Sequence, residues 1–343
     1  MTPYVFAYAF YFAMLVPIAA SGRSIRWGFL VASIPMAGLV FLRGLVGVDM
    51  PVYEEFVDLI RSAEAYTFTF EPLFEYAVLF LSKQIVDSSI VLAIFSAMTT
   101  ALLFFGSFRI ERQPYLLAFC IVPYFYLDMT MNGIRYGLAF SAILFGAHFL
   151  ATGRRKSYLF IALAAASIHI SSALLAILLI GLLEMRWRII IFSIVFGIIS
   201  SLLFDAYLDE KLNAYKSLDI EAEAAGLAPL ALSGLILMTF WLDKAFRKKA
   251  KIQLLVLTLI SISTYFITQF SYAGLRFQTL NLFLIYAFLA CFTNFNEIKL
   301  SKRTLFMIVL IGIVGAAFRL RNFSNETGQG IAPFAPYHFF WEM

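Results

Sequence analysis

The sequence predicts an all-α fold, a polytopic helix bundle set in a membrane. Three observations carry that expectation. Of its 343 residues, 62% are hydrophobic and 14% charged, whereas roughly a quarter of a soluble domain is charged. Apolar segments recur from end to end with short polar gaps, which predicts a single transmembrane domain over 1–343 and no attached soluble module. Basic residues gather at Arg23/Arg26, Arg109/Arg112, Arg154/Arg155/Lys156, Arg186/Arg188, Lys244–Lys251 and Lys299–Arg303, and the positive-inside bias places all six clusters on the cytoplasmic face. The net charge of +5 therefore reports topology. No internal repeat, low-complexity linker or nucleic-acid module is present, so no nucleic-acid partner is expected.

The first segment, "MTPYVFAYAFYFAMLVPIAA", lacks the basic start and small-residue cleavage site of a signal peptide and is expected to be a retained span. The second apolar run leads into an outer loop, 43–87, rich in acids. Within that loop lies "EPLFEYAVLFLSKQIV". Counting it as a crossing would throw Arg109 and Arg112 outside, so it is expected as a re-entrant or interfacial helix, tolerated where protein covers its backbone. The stretch 116–151 goes out and returns, turning at "DMTMNGIR". The run from Ser157 to Leu183 has basic clusters at both ends, so it predicts a tight hairpin of two short helices bent near His169. The segment from Ile189 to Asp243 makes another excursion through an acidic outer loop, 206–228. About twelve crossings follow, with both termini outside.

Arginines on the outer side run against the topological bias and call for a local reason. Arg43, Arg135 and Arg276 fall there, and Arg319 and Arg321 follow the last apolar run. One reason is structural, with Arg43 pairing to Asp49 and Arg135 to Asp128. The other is an anion, since guanidiniums from separate helices suit a phosphate or pyrophosphate, donating two hydrogen bonds each. His169 has two corresponding readings, a hydrogen bond to a main-chain carbonyl at a helix break or a general base. His148, near "GRRK", reads as structural, and His338 as part of an interfacial aromatic anchor, "APYHFFWEM". Cys120 and Cys291 lie in apolar runs and read as small buried hydrophobes. The sequence contains no HExxH, paired CxxC, GxxxxGK[ST], GxSxG or DxD pattern, so no metal and no cofactor is expected.

Four segments together resemble a family. "RGLVGVDMPVY", Arg43 to Tyr53, has the form R-x-x-x-G-x-D-x-x-x-Y and resembles the outer-loop signature of EpsG-type polysaccharide polymerases, relatives of the Wzy-like O-antigen and capsule polymerases. "EPLFEYAVLFL", "NGIRYGLAFSAIL" and "IHISSAL" follow in the family's order. The resemblance covers Arg43 to Leu174 by motif and the remainder by hydropathy and Arg276. Tyr136 stands where many relatives have glutamine, which puts a polar contact to substrate there in doubt.

The resemblance implies a fold like that of the membrane-embedded, GT-C-like glycosyltransferases, in the bacterial cytoplasmic (inner) membrane. It implies that polyprenyl-pyrophosphate-linked oligosaccharide repeat units are joined at the outer face, and that a chain-length regulator protein is a partner. It also implies site residues. His169, Asp49 and Arg135 are expected as catalytic, His169 being the first candidate base and Asp49 the second. Arg43, Arg276, Tyr53, Asn132, Tyr136 and Glu71 are expected to bind pyrophosphate and glycan. Three alternatives remain at this level: a flippase or transporter for the same lipid-linked sugars, an O-antigen ligase-type transferase, and a membrane acyltransferase, which leaves the outer arginines unexplained.

Overall fold

The computed structural model describes residues 1–62, 70–110, 114–184, 226–269, 272–325 and 333–342. Every regular element among them is a helix: α1 (Thr2–Ala20), α2 (Arg26–Phe41), α3 (Met50–Ser62), α4 (Pro72–Ser82), α5 (Ser88–Ile110), α6 (Val122–Met131), α7 (Ile134–Ala151), α8 (Arg155–Ala166), α9 (Ser171–Leu183), α10 (Leu227–Leu242), α11 (Lys244–Thr268), α12 (Tyr272–Phe295) and α13 (Lys302–Asn325). A π-helical turn, Leu117–Ile121, leads into α6, and a 3-10 turn, Phe340–Glu342, ends the described tail. Among the described residues six helices, α1, α5, α7, α11, α12 and α13, are long and apolar enough to cross a membrane, and α2, α4, α6, α9 and α10 are shorter and apolar. The excursion expected over Ile189–Asp243 lies outside the described residues up to Ala225.

The chain forms two compact units, one of residues 1–173 and 312–343, the other of residues 174–311. In the second unit Asp243 caps α11, accepting from the Ala245 and Phe246 amides at 3.1 and 3.2 Å. Its other oxygen accepts from Thr304 Oγ1 at 2.7 Å and the Ser301 amide at 3.2 Å, so one carboxylate joins the starts of α11 and α13. Helix α11 kinks at Ala250, where its basic first turns meet the apolar remainder.

In the first unit the helix run 117–131 is the buried centre, with nearly every residue inaccessible. Pro123 has no N–H and so cannot bond the carbonyl four residues back. Two backbone carbonyls around the π turn accept hydrogen bonds from outside the helix. Tyr11 donates to the Ala118 carbonyl at 2.5 Å and Tyr8 to the Pro123 carbonyl at 2.7 Å, which sutures α1 to this run. Gly312 of α13 lies so close to the Phe119 carbonyl that a Cβ would collide with it. A small residue that lets two backbones approach is how helices pack without a hydrophobic driving force between them.

This unit has two chemically distinct ends. At one, Arg26 donates to the Phe108 carbonyl at 2.7 Å and Arg109 stacks over Phe145 at 5.1 Å, so clusters distant in sequence share that end. At the other lie the first turn of α1, the loop from Leu42 to Asp49, the ends of α6 and α13, and the starts of α4 and α7. Tyr4 packs on Phe323 and Tyr337, and Phe334 stacks on Phe323 at 4.0 Å. The tail closes against the loop through Gly44 N–H to His338 O at 2.8 Å, Phe340 N–H to Leu42 O at 3.0 Å and Tyr337 OH to Leu39 O at 2.7 Å. His338 thus contributes its backbone here, and its ring is exposed beside Glu342.

Two expectations are corrected. Arg319 lies inside α13, because the helix continues six residues past it and the guanidinium finds an interior partner. Asp128 pairs with that arginine and not with Arg135.

Gly312→Val is expected to force α13 away from the π turn, a cost of about 1–3 kcal/mol typical of overpacking, read as a lowered melting temperature in detergent. Gly234→Ala, inside α10 where a Cβ meets nothing within 4 Å, is the control and is expected to leave it the same or slightly raised.

Candidate functional site

The loop signature acts first on a helix end. α6 stops at Met131 and its last carbonyls have no partner in the helix. Arg43 donates through Nη1 to the Thr130 carbonyl and through Nη2 to Ser96 Oγ at 3.2 Å, and Ser96 itself donates to the same carbonyl at 2.7 Å. Gly47, at φ +121°, sits where a Cβ would strike the Met131 carbonyl. The Asp49 amide donates to Asn132 Oδ1 at 2.9 Å. Three signature positions therefore meet three consecutive residues, 130 to 132. Burial lowers the Arg43 pKa to about 10, which leaves it cationic at neutral pH.

The clasp sets the direction of α7, which starts after Gly133 and carries Arg135 and Tyr136 in its first turn. Arg135 reaches back to α3 and α4. Its Nη1 donates to Glu71 Oε2 at 2.5 Å, Nε makes a long contact of 3.4 Å with the Tyr53 hydroxyl, and the guanidinium lies over the Phe70 ring at 3.9 Å. Phe74 and Tyr53 flank it, each at 5.9 Å. Among the described residues its Nη2 makes no hydrogen bond.

The run from Ser157 to Leu183 is divided into two short helices, α8 and α9, with a break over residues 167–170 that holds His169. A break inside a bundle exposes main-chain groups that must be satisfied locally. The start of α4 does this: Leu73 N–H donates to the Ser167 carbonyl at 2.9 Å, and Glu71 Oε1 accepts from the Ile170 amide at 3.0 Å. The same docking sets His169 beside Glu71, with Nδ1 3.5 Å from Oε1, an ion-pair separation longer than a good hydrogen bond. The Tyr136 ring lies 6.4 Å from the imidazole. Arg135, Glu71 and His169 have side chains about one-fifth exposed, accessible to a ligand and shielded from bulk water.

Burial acts to raise the Glu71 pKa, but His169 beside it, the Ile170 amide and the Arg135 charge outweigh that, and the value falls to about 2. Glu71 is therefore ionised throughout the physiological range and is a weak base.

Sequence reasoning places Tyr53, Glu71, Arg135 and His169 in the site, and the structure brings these four together, with Tyr136 adjoining. Asn132 and Arg43 lie behind it, holding the α6 end. Asp49 is exposed and joins the clasp through its backbone. Arg276 belongs to the other unit, exposed near the start of α12. A buried network under the α6–α7 turn went unread in the sequence. Arg319 donates to the Tyr124 carbonyl at 2.8 Å, approaches Asp128 Oδ1 at 3.4 Å and stacks on Tyr124 at 4.7 Å, while Tyr136 donates its hydroxyl to the other Asp128 oxygen. That bond explains how tyrosine is accommodated at 136: its polar end faces Asp128. The aromatic pair Phe70/Phe74, four residues apart around Glu71, is the signal that would have marked the arginine cradle.

An open cleft of about 710 Å³ runs along α3 past Leu45, Glu54, Glu55 and Asp58. Its carboxylates disfavour a phosphate there.

Gly47→Ala is expected to cost about 1–3 kcal/mol, the usual strain of a forced backbone conformation, measured as a loss in melting temperature. A pH series tests the Glu71 ion pair. Because the folded-state pKa of Glu71 is below its ordinary 4.5, its contribution is complete above the unfolded value and lost as pH falls through about 2. The stability gap between wild type and Glu71→Gln should shrink as pH falls below 4.

Searches of curated proteins and of solved structures return no match to this chain. A family model described as "EpsG family" matches residues 26–339, a span that contains the clasp, the Arg135–Glu71–His169 cluster and most of the tail. The chain belongs to the EpsG family, whose members are polysaccharide polymerase-type membrane proteins.

Proposed function

We propose that the protein joins polyprenyl-pyrophosphate-linked oligosaccharide repeat units into a polysaccharide, working at the outer face of the cytoplasmic membrane. The observation that carries this reading is the convergence of Arg135, Glu71 and His169 at the end of the first unit opposite its basic clusters. Basic clusters favour the cytoplasmic side, so the opposite end faces outward, where lipid-linked glycans are presented for polymerisation. We keep the topology of about twelve crossings and a GT-C-like arrangement as part of the same proposal.

In the proposed reaction the bond between the anomeric carbon and the pyrophosphate oxygen breaks, and a bond from that carbon to an acceptor hydroxyl oxygen forms. The acceptor proton goes to a base, and polyprenyl pyrophosphate leaves with the electron pair. Negative charge grows on the departing oxygen, which a preorganised guanidinium stabilises in a site with little water. Arg135 is assigned that role through its open Nη2. His169 is assigned as the base, which contributes roughly a hundredfold or more to such a step. Tyr53 and Tyr136 wall the sugar. Arg43 acts indirectly, by fixing the end of α6. No role is assigned to Arg276, and Asp49 is the second candidate base.

Purified protein supplied with a lipid-pyrophosphate-linked repeat unit should yield a ladder of products on a gel, without nucleotide sugar. Arg135→Ala and His169→Ala should each lower the rate at least a hundredfold while the protein keeps its melting temperature within a few degrees. Binding of the lipid-linked sugar with no ladder would overturn polymerisation in favour of transport or ligation. Full activity of His169→Ala would remove the base assignment.

A further inference from the structure

We infer that Glu71 is a positioning residue for this reaction: its carboxylate bridges Arg135 and His169 and holds both in working orientation without itself touching substrate. The inference rests on the polymerase reading of the site. Four observations support it. Both carboxylate oxygens are occupied, Oε2 by Arg135 at 2.5 Å and Oε1 by the Ile170 amide at 3.0 Å, with His169 Nδ1 3.5 Å away. These donors take about half of the carboxylate's roughly four acceptor sites, and the imidazole flanks the Oε1 side. Glu71 stands at the N-cap of α4, ahead of Pro72, so its backbone is fixed while its side chain reaches away from its own helix. Its side chain contacts the α7 start and the α8–α9 bend at once.

The geometry gives the bridge two effects. On one side it holds the guanidinium flat over Phe70 with Nη1 consumed, which presents Nη2 as the donor to an arriving oxygen. On the other, a carboxylate facing Nδ1 favours the neutral tautomer with its proton on that nitrogen, leaving Nε2 with the lone pair that accepts the acceptor's proton. After transfer the imidazolium lies against a carboxylate, which stabilises it. Among the described residues the further charged or titratable groups around the cluster are Tyr53, in contact with Arg135, Tyr136, whose hydroxyl is turned to Asp128, and the buried Glu75, which accepts from the Phe70 amide.

The test compares Glu71→Gln, Glu71→Asp and wild type with the lipid-linked repeat unit as substrate, separating kcat from KM. A positioning role predicts a fall of a hundredfold or more in kcat for Glu71→Gln, with KM within about threefold of wild type. Glu71→Asp, one methylene too short to span both partners, should recover little. A KM raised tenfold or more with kcat retained would make Glu71 a substrate contact and overturn the inference. A second readout needs no turnover: nitrogen NMR of the histidines, of which the chain has only three, assigned with His169→Gln. Wild type should show the His169 proton on Nδ1 and Glu71→Gln a shift toward the other tautomer. An unchanged tautomer would sink the bridge. If Glu71→Gln changes the tautomer while His169→Ala stays active, the bridge stands and the base assignment fails.

Discussion

A helix that ends or bends inside a bundle leaves main-chain groups that water cannot reach, and each must be given a partner from elsewhere in the chain. The first unit is organised around three such places. At the π turn the open carbonyls receive tyrosine hydroxyls from α1 and the bare Cα of Gly312. At the end of α6 they receive Arg43, Ser96 and the close approach of Gly47. At the α8–α9 bend the partners are the Leu73 amide and the Glu71 carboxylate. The last two places are adjacent, and apart from Ser96 of α5 their partners come from the stretch between α2 and α5, so satisfying the backbone also assembles the cluster.

This makes the family motifs intelligible as pairs. R-x-x-x-G-x-D-x-x-x-Y is complementary to the end of α6 and the start of α7: arginine, glycine and the aspartate backbone meet residues 130 to 132, and the tyrosine reaches Arg135. E-P-L is complementary to I-H-I-S: the glutamate accepts from Ile170 and the leucine amide donates to Ser167. Proline between them sets the first turn of α4 and has no N–H to leave unsatisfied.

Much of this was legible in the sequence because it follows from charge and length. A run too long for one crossing and too short for two ordinary ones, with basic residues at both ends, had to bend, and His169 lies at the bend. The short helix after Glu71 was legible for the same reason. What one-dimensional reasoning missed is partner choice. Arg135 and Asp128 are seven residues apart across one turn, which makes a pair plausible, but the turn at Asn132–Gly133 sends Asp128 toward α13 and Arg135 toward α4. Arg319 was placed beyond its helix because a charge usually marks an end. An interior aspartate and a tyrosine carbonyl permit it to lie within. Arg43 looked like a ligand for an anion, and its guanidinium is used on a carbonyl and a hydroxyl.

The electrostatics of the cluster follow from its stoichiometry. Arg135 and Glu71 form a neutral pair when the site is empty, so the carboxylate needs no free cation and the guanidinium no bound anion for the fold to stand. In the proposed reaction an arriving pyrophosphate adds negative charge beside a donor that is already oriented, and reorientation costs little at that moment. As the proposed transfer proceeds, a proton moves to His169 while charge grows on the leaving oxygen, so positive and negative charge develop on opposite sides of the reacting carbon. Glu71 faces the first and Arg135 the second. Held well below the ordinary carboxylate range by its donors, Glu71 keeps its charge through this exchange. The hydrogen bonds that lower the Glu71 pKa therefore make it a poor base and a dependable counter-charge, so the donors that satisfy the broken helix also set the electrostatics of the proposed chemistry.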